Sequence, residues 1–252
     1  MRHRAKARLF VEDDLGDGLT VGLAAAQAHY LQHVMRLRSG DVVALFNGRD
    51  GEWHARIDGF GRGWCSLVVG EQTRPQGAEP DIWLLFAPIK RARLDFLVQK
   101  AVELGASTLQ PVMTRHTDVK RVNVERLRAN VAEAAEQCER TTLPVVGEAQ
   151  PLFTVLADWP AARRILLCAE AGPAQPIHDV LIAEAASGSQ ADWAILTGPE
   201  GGFASSELDA LGKLPFVTPV SLGPRILRAE TAALSALVCW QSVLGDWHSD
   251  RV

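Results

Sequence analysis

An α/β fold built on a parallel sheet, preceded by a small strand-rich domain, is what this sequence predicts, and three observations carry the prediction. From Met1 to about Glu71, short alternating runs are separated by turn residues, the pattern of a small barrel or sandwich. From Asp81 onward, apolar strands alternate with helix-length stretches, which builds parallel sheets covered on both faces. Between them, "QTRPQGAEP" (residues 72–80) carries two prolines, a glycine and little apolar content, so the rhythm changes across a linker. The expected organisation is a β domain over residues 1–72, a linker over 73–80 and an α/β domain over 81–252.

The first-domain strands are "ARLFVE", "DVVALFNG", "EWHARIDGFG" and "WCSLVVG", with "NGRDG" and "GRG" as their turns. The exception is "AAAQAHYLQHVMRL", which reads as a helix ending before "SGD". Trp53 and Trp64 fall on predicted strands and are expected in the small core. His29 and His33 are four apart on the predicted helix, but no third ligand accompanies them, so packing or surface roles are expected and no metal. In the second domain "DIWLLFAPI" is an apolar strand, and "RLDFLVQKAVELG" sets Leu94, Leu97, Val98, Ala101 and Leu104 on one helical face before Gly105. The unit recurs through "STLQPVM" and "VERLRANVAEAAEQCER", "RRILLCAE" and "HDVLIAEAA", "DWAILTG" and "SELDALG", and "FVTPVSLG" and "RAETAALSALVCWQSVLG". Such sheets bind ligands at the carboxyl ends of their strands.

Composition narrows the class. The 252 residues, 47% of them hydrophobic, suffice for packed cores, and a formal net charge of -4 argues against a chain that coats nucleic acid indiscriminately while leaving room for a local basic face. Cys65, Cys138, Cys168 and Cys239 are far apart with no CxxC pair, which suggests neither a disulfide framework nor a zinc site and fits reduced thiols in a cytoplasmic protein. The start "MRHRAKARLF" is charged without a long apolar run behind it, and no run approaches the roughly 20 residues that span a bilayer, so neither an export signal nor a membrane span is expected.

Two predicted strands end alike, in "ILTGPEGG" (Ile195 to Gly202) and "VSLGPRILRAET" (Val220 to Thr231). A single Gly-Pro dipeptide is ordinarily a turn. A pair predicts two rigid, side-chain-poor loops able to clasp a flat polar molecule: Gly198, Gly201 and Gly202 admit positive φ and close backbone approach, while Pro199 and Pro224 stiffen the chain. Dinucleotide, P-loop, nucleophile-elbow and zinc-protease motifs are absent. "SELD", with Ser206 and Asp209, reads as a capping box opening the next helix. Two basic groups stand out: Arg2, Arg4, Lys6 and Arg8 near the start, and Lys90, Arg91, Arg93, Arg115, His116, Lys120 and Arg121 after two strands. Either is a solvated surface or a set of RNA phosphate contacts, and the second lies where a parallel sheet keeps its site.

"TGPEGGF" followed by "LGPRILRAETA" resembles the two C-terminal signatures of the bacterial uracil-N3 methyltransferases of small-subunit (16S) ribosomal RNA, in the SPOUT superfamily. "RLFV", "HYLQHVMRLRSGD", "KRARLDFLVQKAVELGASTLQPVMTRHT" and "AAEQCERTTLPVV" extend the resemblance over nearly the whole chain. It implies an N-terminal PUA-like β-barrel that binds RNA, a C-terminal domain closed by a deep trefoil knot, S-adenosyl-L-methionine as cofactor, and a homodimer whose knotted regions meet at the working sites. The substrate it implies is the assembled small subunit. Carried over residue by residue, the resemblance sets Leu196, Thr197, Gly198, Glu200, Gly201 and Gly202 on one cofactor wall and Leu222, Gly223, Ile226, Leu227 and Arg228 on the other.

The catalytic set so implied is Arg228, Glu230 and Thr231. A guanidinium at Arg228 would draw charge toward a uracil oxygen as N3 loses its proton, or would instead pair with Glu230 or a helix end. Glu230 and Thr231 would orient the base or Arg228. The proton acceptor is Glu230, a water or a phosphate. Glu200 would meet a ribose hydroxyl or the sulfonium, or cap the following helix. The apolar helix through Leu234, Leu237, Val238 and Trp240 is core or dimer face. Two alternatives to N3 transfer stay open: a knotted enzyme acting on a ribose 2'-hydroxyl or another base, and a non-catalytic RNA-binding assembly factor.

Overall fold

The computed structural model describes residues 5–170, 172–188 and 191–247, so Arg2 and Arg4 lie outside the described residues. The chain divides into two compact units, Met1–Ala78 with Ala135–Leu143, and Glu79–Ala134 with Pro144–Val252.

The first unit is a five-stranded sheet of β1 (Arg8–Phe10), β2 (Thr20–Leu23), β3 (Val42–Phe46), β4 (Glu52–Gly61) and β5 (Trp64–Arg74), in the order β1-β3-β4-β5-β2. β1 runs parallel to β3 and the other pairs are antiparallel. The sequence alternates as a half-buried sheet must: Ala55 and Ile57 of β4 and Cys65, Leu67 and Val69 of β5 turn inward. They meet Leu9, Val21 and Leu23, so both outer strands share one core and the sheet curls around it. Helix α1 (Ala25–His29) runs on into a π-helical turn, Tyr30–Val34, which seats Leu31 in that core and brings the rings of His29 and His33 to 4.7 Å between centroids. Trp53 packs against the core as expected, whereas Trp64 is 50% exposed, because it opens β5 on the outward side of the pleat.

Two sequence expectations about boundaries are corrected. Thr73 and Arg74 belong to β5, with Arg74 in register with Glu52, so the strand crosses the linker drawn at residue 73. Residues 135–143, expected in the second domain, pack with the first unit. The Glu52 carboxylate takes hydrogen bonds from Arg8 Nε at 2.7 Å and Arg74 Nη2 at 2.6 Å, and these arginines also donate to the carbonyls of Ala135, Arg140 and Glu139. Glu136 Oε1 accepts from the Phe10 amide at 2.9 Å. Arg8, expected among the RNA contacts, has its guanidinium also 3.7 Å from the Phe46 ring centroid and is mostly buried in this cluster of bonds.

The second unit contains β6 (Ile82–Phe86), α2 (Arg91–Glu103), β7 (Thr108–Met113), α3 (Val124–Gln137) up to Ala134, β8 (Val145–Val146), β9 (Gln150–Pro151), α4 (Leu152–Ala157), β10 (Arg163–Cys168), β11 (Gln175–Pro176), α5 (Ile177–Ser187), β12 (Asp192–Thr197), α6 (Ser205–Leu211), β13 (Val217–Ser221) and α7 (Ala229–Val243). Its eight strands, all in parallel pairs, run β11-β13-β10-β12-β6-β7-β8, with β9 joining β7 beyond β8. The near-continuous apolar runs of β6, β10 and β12 follow from burial on both faces. On one face Leu152 and Leu156 of α4 and Leu211 of α6 pack on Leu85, Ile165, Leu167, Ala194 and Leu196. α7 lies along β12 and β10 and packs against α2 and α5. Among the described residues no helix is long and apolar enough to cross a membrane.

Because every strand runs the same way, their carboxyl ends gather at one edge: Thr197 is in register with Phe86 and Cys168, and Cys168 with Val220.

Candidate active site

A cleft of about 420 Å³ opens at that edge, within the size range of small-ligand sites. The loop after β12 supplies Gly198, Pro199, Glu200, Gly202 and Phe203, and the loop after β13 supplies Leu222 through Arg228. A third wall, Cys168, Ala169 and Glu170 after β10, was not read from the sequence, and neither was a place for Arg93 in the cleft. β10 stands between β12 and β13 in the sheet, a neighbourhood that chain order does not reveal. Burial pushes the Cys168 thiol up to about 12, with nearby Cys239 adding to it, so this wall carries a protonated thiol rather than a nucleophile.

Each of the two glycine loops is closed by a local hydrogen bond at a positive-φ glycine. The Gly202 amide donates to the Pro199 carbonyl at 2.9 Å with φ +66°, and the Gly223 amide donates to Ser221 Oγ at 3.2 Å with φ +105°. A Cβ on Gly198 would come within 3.0 Å of the Phe203 ring, so the missing side chain lets Phe203 close over the loop.

The predicted site residues do not all reach the cleft. Thr197, Gly198, Glu200, Gly202, Leu222, Gly223, Ile226, Leu227 and Arg228 line it. Leu196 does not: it is fully buried in the core under the sheet. Gly201 turns toward His116, whose Nδ1 donates to the carbonyls of Gly201 and Gly202, each 3.2 Å away. Thr231 is exposed on the first turn of α7, off the cleft lining.

The charges are arranged around Arg93. Its Nη1 lies 3.6 Å from Glu200 Oε1 and its Nε 3.8 Å from Glu230 Oε1, so one guanidinium spans a glycine-loop carboxylate and the start of α7. Glu230 is 8% exposed, its Oε2 has no hydrogen-bond partner among the described residues, and the residue is absent from the cleft lining. Glu200 is thus an ion-pair partner and not the cap of α6. The capping expectation is corrected in detail too: Ala204 is the N-cap, and Glu207, not Asp209, reaches back to its amide at 2.9 Å. Arg228 sits at the N-cap of α7, exposed, and makes no ion pair among the described residues.

Lys90 and Arg91 follow β6, and Arg115, His116, Lys120 and Arg121 follow β7; all six are exposed at the carboxyl edge of the sheet. Lys6 is exposed but paired with Asp41 at 2.6 Å. Backbone amides, an aromatic ring, apolar Leu222, Ile226 and Leu227, and carboxylates at Glu170 and Glu200 make a lining suited to a flat nucleoside carrying a cationic tail, which is the chemistry of S-adenosylmethionine.

Comparison with known proteins agrees with that lining. A family model described as an RNA methyltransferase domain matches residues 77–241, and one described as an RNA methyltransferase PUA domain matches residues 23–62. The ribosomal RNA small subunit methyltransferase E of Rickettsia conorii is 33% identical over 91% of this chain and 93% of its own. The crystal structure of the protein of that name from Neisseria gonorrhoeae, bound to S-adenosyl methionine, superposes with a TM-score of 0.85 at 27% identity, over 96% of this chain and 99% of that one. A Legionella pneumophila methyltransferase in complex with the same cofactor gives a TM-score of 0.79 at 25% identity, over 95% and 98% of the two chains.

Proposed function

From the premise that this chain belongs to the RNA methyltransferase family of the small-subunit methyltransferases E, we propose that it methylates N3 of a uridine in 16S ribosomal RNA, on the assembled small subunit. It is an S-adenosylmethionine-dependent ribosomal RNA methyltransferase with a PUA domain. The observation that carries the finer reading is Arg228, exposed and without an ion pair among the described residues, at the lip of a cleft whose other guanidinium near the glycine loop, Arg93, is paired with Glu200 and Glu230.

S-adenosylmethionine supplies, when bound, a methyl group already activated on a sulfonium, so the protein needs no nucleophile of its own. The glycine loops at 198–202 and 222–224 hold the cofactor through backbone groups, and Leu222, Ile226 and Leu227 take its flat apolar surface. Uracil N3 must lose a proton to become nucleophilic, and the charge then spreads to O2 and O4. Arg228 stabilises that charge as a cationic donor. Glu230 is committed to Arg93 and is not part of the cleft wall, so it positions Arg93, and the N3 proton leaves to water or to an RNA phosphate. Thr231 meets the RNA around the target base, a reading supported by its exposure next to Glu230.

Lys90, Arg91, Arg115, His116, Lys120 and Arg121 contact phosphates from the same edge. The chain from Leu222 into α7 is threaded as a knot, which is supported by β10 lying between β12 and β13 and by α7 packing back across β12 and β10. Two copies pair through this region in the cytoplasm, a reading supported by exposed Phe96, Ile226 and Val238 on α2, the second loop and α7.

The test is transfer of labelled methyl from S-adenosylmethionine to small subunits from cells lacking this protein, with the RNA digested to nucleosides. Label in 3-methyluridine, reduced at least about a hundredfold by Arg228→Ala with cofactor affinity kept, is the expected result. Label in a 2'-O-methylated nucleoside or another base would overturn the acceptor, and cofactor binding without transfer would overturn catalysis.

A further inference from the structure

Glu207 is 4% exposed and lies outside the cleft, yet both its carboxylate oxygens are in use. Oε1 accepts the Arg115 amide at 2.9 Å, 92 residues away in sequence, and Oε2 accepts the Ala204 amide at 2.9 Å. The first bond holds the loop after β7, and the second holds the end of the glycine loop where it enters α6. His116 makes a second tie between the same loops through the Gly201 and Gly202 carbonyls. The β7 loop is braced internally as well, its Thr114 amide donating to Thr117 Oγ1 at 3.0 Å.

A buried carboxylate spent on two backbone amides is more than a helix cap requires, since one bond to the N-cap amide completes that role. The other bond aligns the segment carrying Arg115 and His116, two exposed candidates for RNA contact, with the loop that walls the cofactor cleft. We infer that Glu207 is a positioning residue which locks the RNA-contacting loop 114–117 to the glycine loop 198–204, so that RNA meets Arg115 and His116 already in register with the cofactor. This deepens, and rests on, the reading of the chain as a methyltransferase of small-subunit RNA.

Glu207→Gln separates the two bonds. Glutamine serves at this helix position as glutamate does, but it has one acceptor oxygen for two amide donors, so one N–H must face its NH2 group. The loop yields before the helix start. Amide hydrogen exchange in peptides covering 114–117 should accelerate about tenfold with the melting temperature nearly unchanged, a local opening rather than global unfolding. The KM for small subunits should rise severalfold while the dissociation constant for S-adenosylmethionine stays within about twofold. Thr117→Val, which loosens the same loop without touching Glu207 or α6, should shift KM in the same direction.

Exchange that rises at 204–208 alone, with 114–117 unchanged, would reduce Glu207 to a helix cap and overturn the inference. So would a loosened loop with unaltered KM in an active enzyme. A wild-type protein that transfers no methyl would instead remove the functional reading, while the exchange comparison still decides whether Glu207 locks the loop.

Discussion

Arg93 holds Glu230 by its Nε, 3.8 Å from Oε1, while its Nη1 reaches Glu200 Oε1 at 3.6 Å, so a single side chain of α2 ties the glycine loop after β12 to the first turn of α7. The Glu200 arm is half in solvent and worth little by itself. The Glu230 arm matters more, because that carboxylate is buried and its second oxygen has no hydrogen-bond partner among the described residues.

Removing the guanidinium should therefore cost stability through the acid it abandons. Arg93→Ala is expected to lose roughly 1–3 kcal/mol. For a protein of this size that lowers the melting temperature by about 3–10 °C. The double variant Arg93→Ala/Glu230→Gln should recover part of the loss, since the orphaned charge is gone. Thermal melts of the single and double variants check this, and equal losses in both would show that Glu230 is not the seat of the effect.

The two glycine loops should fail for different reasons. Gly223 sits at φ +105° with open space around its missing Cβ, so Gly223→Ala meets backbone strain and no clash. A strain of roughly 1–3 kcal/mol would drive the loop out of its cofactor-binding shape and weaken S-adenosylmethionine binding by about tenfold or more. Gly198→Ala would instead push a methyl into the Phe203 ring, which must swing off the cleft wall. Calorimetric titration should show cofactor binding weakened in both variants. An unaltered affinity for Gly223→Ala would mean that the loop re-forms its shape on binding.

Acid should open the first domain through Glu52. Burial alone would push this carboxyl up, but the hydrogen bonds from Arg74 and Arg8 outweigh it and hold the group below its ordinary 4.5. A depressed carboxylate contributes stability that is complete above its unfolded value and is lost as pH falls through the folded one. Protection of the β4 and β5 amides, measured against the intrinsic exchange rate at each pH, should therefore fall as the pH is lowered below about 4.5, with Glu52→Gln less stable at neutral pH and less sensitive to acid. Parallel pH profiles for the two proteins would show that the acid sensitivity lies elsewhere.

Much of this molecule was legible because it is written locally. Alternation in "WCSLVVG", unbroken apolar runs such as "WAILT", and the stop at Gly105 each depend on a few neighbouring residues, and the elements formed where they predict. The paired Gly-Pro loops disclosed two of the three cleft walls for the same reason: glycine and proline act on their own backbone. Boundaries were less legible. Thr73 and Arg74 look like linker residues but are paired to Glu52, and residues 135–143 return to the first unit through the arginines of β1 and β5.

By itself, then, the sequence determined the long strands and helices and their order, the change from β to α/β near residue 80 and the two loops that line the cleft, because periodicity and backbone freedom are properties of adjacent residues, whereas short elements such as β2, β8, β9, α4 and β11 carry too few residues to show a period. Only the tertiary structure decided that β10 stands between β12 and β13 and so brings Cys168 to Glu170 into the cleft. It alone decided that Leu196 is core, that Arg8 is spent on Glu52, that Arg93 joins Glu200 to Glu230 and that Glu207 fastens Arg115. Each of these depends on groups tens of residues apart, and a charged side chain takes whichever partner the sheet order brings within reach.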